Sequence, residues 1–498
     1  MIKRRNLKLN KNILRPLVFE EGIHMKNAKG SGVRKPYIIE VVIVLGLFLL
    51  IAFSFTGVFD LPIQLALFIA LFLVIFLGLR LGYTYNDLQE ALKDGISSGL
   101  DAVLILVAVG TLIGTWIAGG IVPSIIYYGL EFIHPSIFLL ATMVLCSITS
   151  LATGTSWGTA GTAGIAMVGV GEAMGIPLPM VVGAVLSGAY FGDKLSPLSD
   201  STVLTASMSK VNIIEHIKSL LYVSIPALII SGIAFTIVGF TYASEQVDLN
   251  RVESIMVDMS DAFSIHWWML IPTVVVITLL AMKKPAVPTI TFGALLGVVW
   301  AVLFQDMDVV SALNTAYEGF NAQTGNAFMD ELLNRGGIVG MLGSIVVILF
   351  GLGFGGLLNY IGALQVIVDS LSKFITNTGR LSVSTIATGF LTNVFGCAMY
   401  VSLILTPKIM ENNYDRLKVD RRILSRNTEV GGTLTSGMVP WSDNGIFMAA
   451  MFGVPTLQYV PYMWLSFAAI ILVIIYGYTN KFIWYVDDEE SGTKLEGI

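Results

Sequence analysis

The chain has 498 residues, 55% hydrophobic and 13% charged, with a formal net charge of −5 and a mean hydropathy of +0.78. Soluble domains carry roughly 25% charged residues, so a soluble globular fold is excluded. Runs such as 38–53 and 463–476 are almost wholly apolar and show no apolar–polar alternation, which excludes a β-barrel built from strands of about ten alternating residues.

Residues 1–36 form a basic cytoplasmic arm, with ten Lys or Arg in 1–35 against Glu20 and Glu21. It lacks the apolar core of a signal peptide. Lys and Arg beside a first membrane helix are explained by orientation, so no nucleic-acid partner is expected. Whether translation starts at Met1 or Met25 stays open.

Apolar stretches long enough to cross about 30 Å at 1.5 Å per residue follow at 37–56, 61–82, 100–120, 220–241, 267–282, 287–303, 339–362 and 460–478. Lys and Arg gather in the arm, at 80–93, 210–218, 283–284, 373–380 and 408–426, which places these loops and both termini in the cytoplasm of a multi-pass inner-membrane protein. The acid-rich loops 245–261 and 306–331 then lie outside. Parity requires 138–171 and 381–406 to leave and return to one side. The second, with a break at Gly396, fits a re-entrant hairpin; the first stays open between a hairpin and two spans. Cys146 and Cys397 both lie in apolar sequence and suggest no disulfide framework.

Sliding the chain by 243 residues superimposes Gly110 on Gly353, Gly119 on Gly362, Thr149 on Thr392, Pro197 on Pro440, and Pro-Leu-Ser-Asp-Ser on Pro-Trp-Ser-Asp-Asn. By the charge rule Gly119 is outside and Gly362 inside, so the expected fold is an all-α polytopic membrane protein of two inverted-topology repeats. These are 37–241 and 265–478, separated by an acidic extracellular loop at 242–264 and followed by a cytoplasmic tail at 479–498. Each holds three spans, a hairpin, a broken span and a final span, giving about ten transmembrane helices plus two re-entrant hairpins. Such repeats with discontinuous helices at the midplane are how secondary transporters alternate access to a site.

The polar cluster 192–202 contains Asp193, Ser199, Asp200 and Thr202 around Pro197, which removes a backbone donor and disfavours helix at Ser196. Its counterpart holds Glu429, then Ser442, Asp443 and Asn444 after Pro440. Freed carbonyls, hydroxyls and carboxylates are hard ligands that suit a dehydrated Na⁺. A carboxyl withdrawn from water holds its proton more tightly and so sets Na⁺ and H⁺ in competition. Asp200 and Asp443, at equivalent breaks, are the expected Na⁺-binding pair; the ordinary alternative is that Asp193 merely pairs with Lys194. Thr149, Ser150, Thr153 and Thr155 at the first hairpin, with Thr392 and Asn393 at the second, are expected to line the pathway, although such residues also bond back to their own helix. His24, His134, His216 and His266 read as surface or interfacial groups, and Trp157, Trp267, Trp268, Trp464 and Trp484 as anchors or packing. The transported ions would be Na⁺ and H⁺, with no cofactor and membrane lipid as the surroundings.

The segments FGDKLSPLSDSTVLTAS from Phe191, TSLATGTSWGTAGTAG from Thr149 and Pro-Trp-Ser-Asp-Asn resemble the NhaC family of Na⁺/H⁺ antiporters over about residues 37–478. The resemblance implies paired hairpins, elevator-type movement and, by analogy, a homodimer. It implies Na⁺/H⁺ exchange, or the malate/lactate exchange or amino-acid transport of related proteins. A carboxylate substrate would need a cation such as Lys194 or the hairpin amides; the absence of Arg from a central span favours plain cation exchange. An intramembrane aspartyl protease is excluded because Tyr190-Phe191-Gly192-Asp193 lacks the Gly-x-Gly-Asp signature. A passive channel suits inverted broken helices less well than alternating access does.

Overall fold

The computed structural model describes residues 33–197, 199–245, 249–322, 330, 333–372 and 374–486. Residues 1–32 of the basic arm and 487–498 of the tail lie outside the described residues.

The first half runs α1 (Ile38–Phe53, prolonged by a π-turn, Ser54–Val58), α2 (Ile63–Arg80), amphipathic α3 (Tyr85–Ser97), α4 (Leu100–Ala118), α5 (Ile121–Phe132), α6 (Phe138–Thr153), α7 (Ser156–Thr159), α8 (Ile165–Ala173), α9 (Leu178–Leu195), α10 (Asp200–Met208) and α11 (Ile213–Glu245). After α12 (Leu249–Ala262), the second half runs α13 (Ile271–Ala281), α14 (Ala286–Phe304), amphipathic α15 (Val309–Glu318), α16 (Gly337–Tyr360), α17 (Ala363–Ser372), α18 (Thr378–Gly396), α19 (Met399–Arg416), α20 (Arg421–Ser436), α21 (Asp443–Phe452), α22 (Thr456–Tyr459) and α23 (Trp464–Thr479). Among the described residues, seven helices are long and apolar enough to cross a membrane. Two bent pairs, at 87° before α13 and 58° before α23, raise the number to nine if each is one span.

The halves repeat the same order: two spans, an amphipathic helix, a span, a short helix, a chain reversal, a broken helix and a final helix. The 243-residue register reappears in backbone conformation. Gly154 and Cys397 both adopt the left-handed conformation, at φ +71° and +56°, and each is followed by an extended residue. For Cys397 a side chain makes that conformation costly, so the surrounding packing must hold it. Leu178 and Arg421 begin corresponding helices, and Ser199 and Ser442 precede α10 and α21 in extended conformation. The halves interlock: α14 and α15 pack on α4, while α2 and α3 pack on α16, and the final helices α11 and α23 pack together.

Two regions differ from the sequence expectation. The acidic stretch read as the loop 242–264 contains α12, whose apolar positions alternate with its acids at helical spacing. The chain reversals are also unlike each other. The arms α18 and α19 pack together as a hairpin, whereas α6 and the run 156–173 meet near their turn and otherwise lie against α9. Glycines make the α6–α9 contact close: a Cβ on Gly188 would lie 2.3 Å from the Met143 carbonyl oxygen, and one on Gly192 would lie 2.4 Å from the Leu151 nitrogen.

Candidate functional site

Helix α9 stops at Leu195 because Ser196, preceding Pro197, takes an extended conformation. The chain restarts at α10, so the break leaves Asp193 on the last turn of one half-helix and Ser199 at the head of the next. Asp193 is buried and accepts from the Ser156 hydroxyl at 2.7 Å and the Ser199 hydroxyl at 2.5 Å. Ser156 opens the run after the first reversal, so this carboxylate ties the reversal to the broken helix. The Thr202 hydroxyl donates to the Asp193 carbonyl at 3.2 Å. Lys194 is fully buried, is not hydrogen-bonded to Asp193, and finds no hydrogen-bond partner among the described residues.

From Ser199 the polar contacts cross into the second half. Ser199 and Ser201 hydroxyls are 3.0 Å apart, and Ser201 donates to Glu429 Oε1 at 3.4 Å. Thr433, one turn along α20, donates to the same oxygen at 2.7 Å. Glu429 Oε2 has no hydrogen bond among the described residues and stands 3.9 Å from His216 Nε2, with both residues fully buried. The expected interfacial place of His216 is therefore corrected: it lies in the first turn of α11, turned inward against α20. Its sequence neighbours Lys210 and Lys218 suggested a solvated rim; the signal that it faces inward is its placement with Leu220 and Val223 on a buried stripe.

Across the second break, Ser442 caps α21 by accepting from the Gly445 N–H at 3.0 Å. Asp443 is buried and accepts from the backbone N–H of Met399 at 3.1 Å and of Asn444 at 2.7 Å, while its own N–H donates to the Cys397 carbonyl at 2.9 Å. This carboxylate thus closes on the second reversal much as Asp193 closes on the first. Asn444 donates to the Ser436 hydroxyl at 2.9 Å and accepts from the indole N–H of Trp157. The Trp157 ring stacks on Phe447, with centroids 4.4 Å apart and planes within 11°. Trp157 is therefore a tie between the first reversal and the second broken helix, not an interfacial anchor.

Asp200 sits differently. It begins α10 with an exposed side chain and makes no hydrogen bond among the described residues. The structure therefore brings Asp193, Ser199, Thr202 and Glu429 into one connected group, and Ser442, Asp443 and Asn444 into another, with Asp200 apart. The reversal residues divide as well. Thr149 and Thr392 bond to carbonyls of their own helices, Leu145 at 2.9 Å and Thr388 at 2.8 Å. Thr153 and Thr159 hydroxyls lie 3.4 Å apart, and Thr155 caps the N–H of Gly158. Ser150 and Asn393 cross to the broken helices, donating to the carbonyls of Ala189 at 2.6 Å and Gly432 at 2.7 Å.

A last correction concerns arginine. Arg426, counted above with the cytoplasmic basic run, is fully buried in α20 three residues before Glu429. Residues three apart share a helix face, and the site-bearing Glu429 was the signal that Arg426 turns inward too. Chemically, the arrangement offers carboxylates, hydroxyls and freed carbonyls, hard oxygen donors with exchangeable protons. Among the described residues, no group of three or more His, Cys, Asp or Glu gathers as a metal site, so a cation would depend on hydroxyls and carbonyls beside a carboxylate.

The sequence profile described as the Na⁺/H⁺ antiporter family matches residues 33–207 and 188–481. The malate-2H⁺/Na⁺-lactate antiporter of Bacillus subtilis is 65% identical over 453 residues, covering 91% of this chain and 97% of that protein. The Na⁺/H⁺ antiporter NhaC of Alkalihalophilus pseudofirmus is 33% identical over 360 residues, 72% of this chain and 78% of that one. The arginine/ornithine antiporter ArcD of Halobacterium salinarum is 32% identical over 374 residues, 75% and 77%.

Proposed function

On the premise that the chain belongs to the Na⁺/H⁺ antiporter family, we propose that it exchanges a dicarboxylate carried with protons for Na⁺ carried with a monocarboxylate, of the malate and lactate type. The observation that carries the carboxylate part is Lys194: an ammonium buried beside the carboxylates, with no hydrogen bond among the described residues. Buried charges are normally paired, and a cargo carboxylate would complete this one. The 65% identity to an antiporter of that name supports the same cargo.

Asp193, Glu429 and Asp443 are the groups we assign to Na⁺ and H⁺. The hydroxyls of Ser156 and Ser199 donate to the Asp193 carboxylate; rotated, they present lone pairs to a cation held by that carboxylate. Proton and Na⁺ cannot both neutralise the same carboxylate, which is the competition that couples them. A dianion with two protons and a monoanion with Na⁺ are both neutral, so the cluster returns with unchanged charge in either direction. Asp200, exposed at the head of α10, would attract cations at the opening. Two halves of identical element order, inserted in opposite senses in the cytoplasmic membrane, would supply the alternating access.

Plain Na⁺/H⁺ exchange is the second reading, favoured by the hydroxyl-rich Asp193 surroundings and the NhaC relative. Purified protein in liposomes with a trapped pH dye separates the two. Na⁺ is added outside against an imposed pH gradient, with malate inside and lactate outside, and again with neither acid. A response that requires the organic acids is expected; a full response to Na⁺ alone would make the chain a simple cation exchanger.

A further inference from the structure

Arg426 carries a binding capacity that the site above leaves unused. Its Nη1 donates to the carbonyl of Phe482 at 2.9 Å, whereas Nε and Nη2 are buried with no partner among the described residues. The N–H groups of Nε and Nη2 point along one edge of the planar guanidinium, the edge that grips a carboxylate through two parallel bonds. Arg does not escape burial by shedding its proton, so a free buried edge is a demand for an anion. The neighbouring carboxylates are engaged at the rim: Glu411 and Asp415 hold Arg421, and Glu215 and Asp420 hold Arg422.

The segment bonded to Nη1 lies across the end of the bundle. Phe482 takes φ +54°, the Asp420 N–H donates to the Trp484 carbonyl, and the Val486 N–H donates to the Lys418 carbonyl. Inward from Arg426, Glu429 lies one turn along α20, about 4.5 Å in axial rise. Lys194 is on the last turn of α9, which packs against α20. Neither the Lys194 ammonium nor the Nε–Nη2 edge of Arg426 has a hydrogen-bond partner among the described residues.

We propose that the free edge of Arg426 receives one carboxylate of a dicarboxylate whose other carboxylate is held by Lys194, so that Arg426 sets the preference for a dicarboxylate over a monocarboxylate. The inference rests on the carboxylate-exchange reading.

The test uses full-length protein in liposomes, with initial rates for radiolabelled malate and lactate in the wild type, Arg426→Gln and Arg426→Lys. Losing a charge-assisted two-bond contact is expected to raise KM for malate by about tenfold or more, with KM for lactate nearly unchanged. Arg426→Lys keeps the charge and loses the fork, so it should restore part of the malate affinity; it also serves if the Gln variant does not fold. Equal changes for both acids, or no change for either, overturn the proposal while leaving carboxylate exchange intact. A wild-type protein that moves neither acid overturns the parent reading as well.

Discussion

Gly192→Ala tests whether the close approach of α6 and α9 is what aligns the candidate site. A Cβ at residue 192 would lie 2.4 Å from the Leu151 nitrogen and 2.6 Å from the Ser147 carbonyl oxygen, backbone atoms that cannot swing aside. Ordinary contact begins near 3.4 Å, so the two helices must part by about 1 Å, an overpacking that costs about 1–3 kcal/mol. Asp193 is the next residue, and its 2.7 Å bond from Ser156 would stretch beyond hydrogen-bond range. A hydrogen bond to a charged group contributes about 1.5–3 kcal/mol, which corresponds to roughly 10- to 150-fold in affinity. Thermal unfolding in detergent should fall measurably, and Na⁺-dependent exchange in liposomes should drop by at least tenfold. Gly340→Ala is the control, since nothing lies within 4 Å of its added Cβ. If Gly192→Ala behaved like Gly340→Ala in both assays, the alignment argument would be wrong.

Trp157→Phe retains a ring on Phe447 and removes the donor to Asn444, so exchange should fall by about 2- to 10-fold, the worth of one neutral hydrogen bond. Trp157→Ala also loses the stack and should fall further, as initial rates would show. At the start of α3, the hydroxyl and backbone N–H of Thr84 hold the Asp87 carboxyl below its usual range. A lowered value means that this stabilisation is present above about pH 4 and is lost as pH falls through the folded-state value. Thr84→Ala should therefore cost about 1 kcal/mol at neutral pH and less in acid, measured as a narrowing difference in unfolding temperature.

Much of the architecture is legible in the chain because bilayer thickness dictates the length of apolar runs. The repeat is legible because Pro197 and Pro440 impose the same break at one offset. The amphipathic helices α3 and α15 escape a search for spans: their apolar faces pack on α16 and α4, so half of each remains polar. Among site residues, Asp193 and Glu429 announce themselves as acids in apolar sequence. Asp200 does so equally, yet the structure exposes it, whereas Asp443 at the equivalent first position of α21 is buried against the second reversal through Met399 and Cys397. His216 and Arg426 are hidden by basic neighbours: only the helical phase, which buries Leu220 and Glu429, shows that they turn inward.

The most direct measurement compares Asp193→Asn, Asp443→Asn and Asp200→Asn in the same liposome exchange assay, each checked for monodispersity. Removing a buried carboxylate that neutralises Na⁺ or H⁺ should reduce coupled exchange by roughly 100-fold or more, while the exposed Asp200 variant should retain most of its rate. Loss of exchange in Asp200→Asn with Asp193→Asn and Asp443→Asn near wild type would contradict the account.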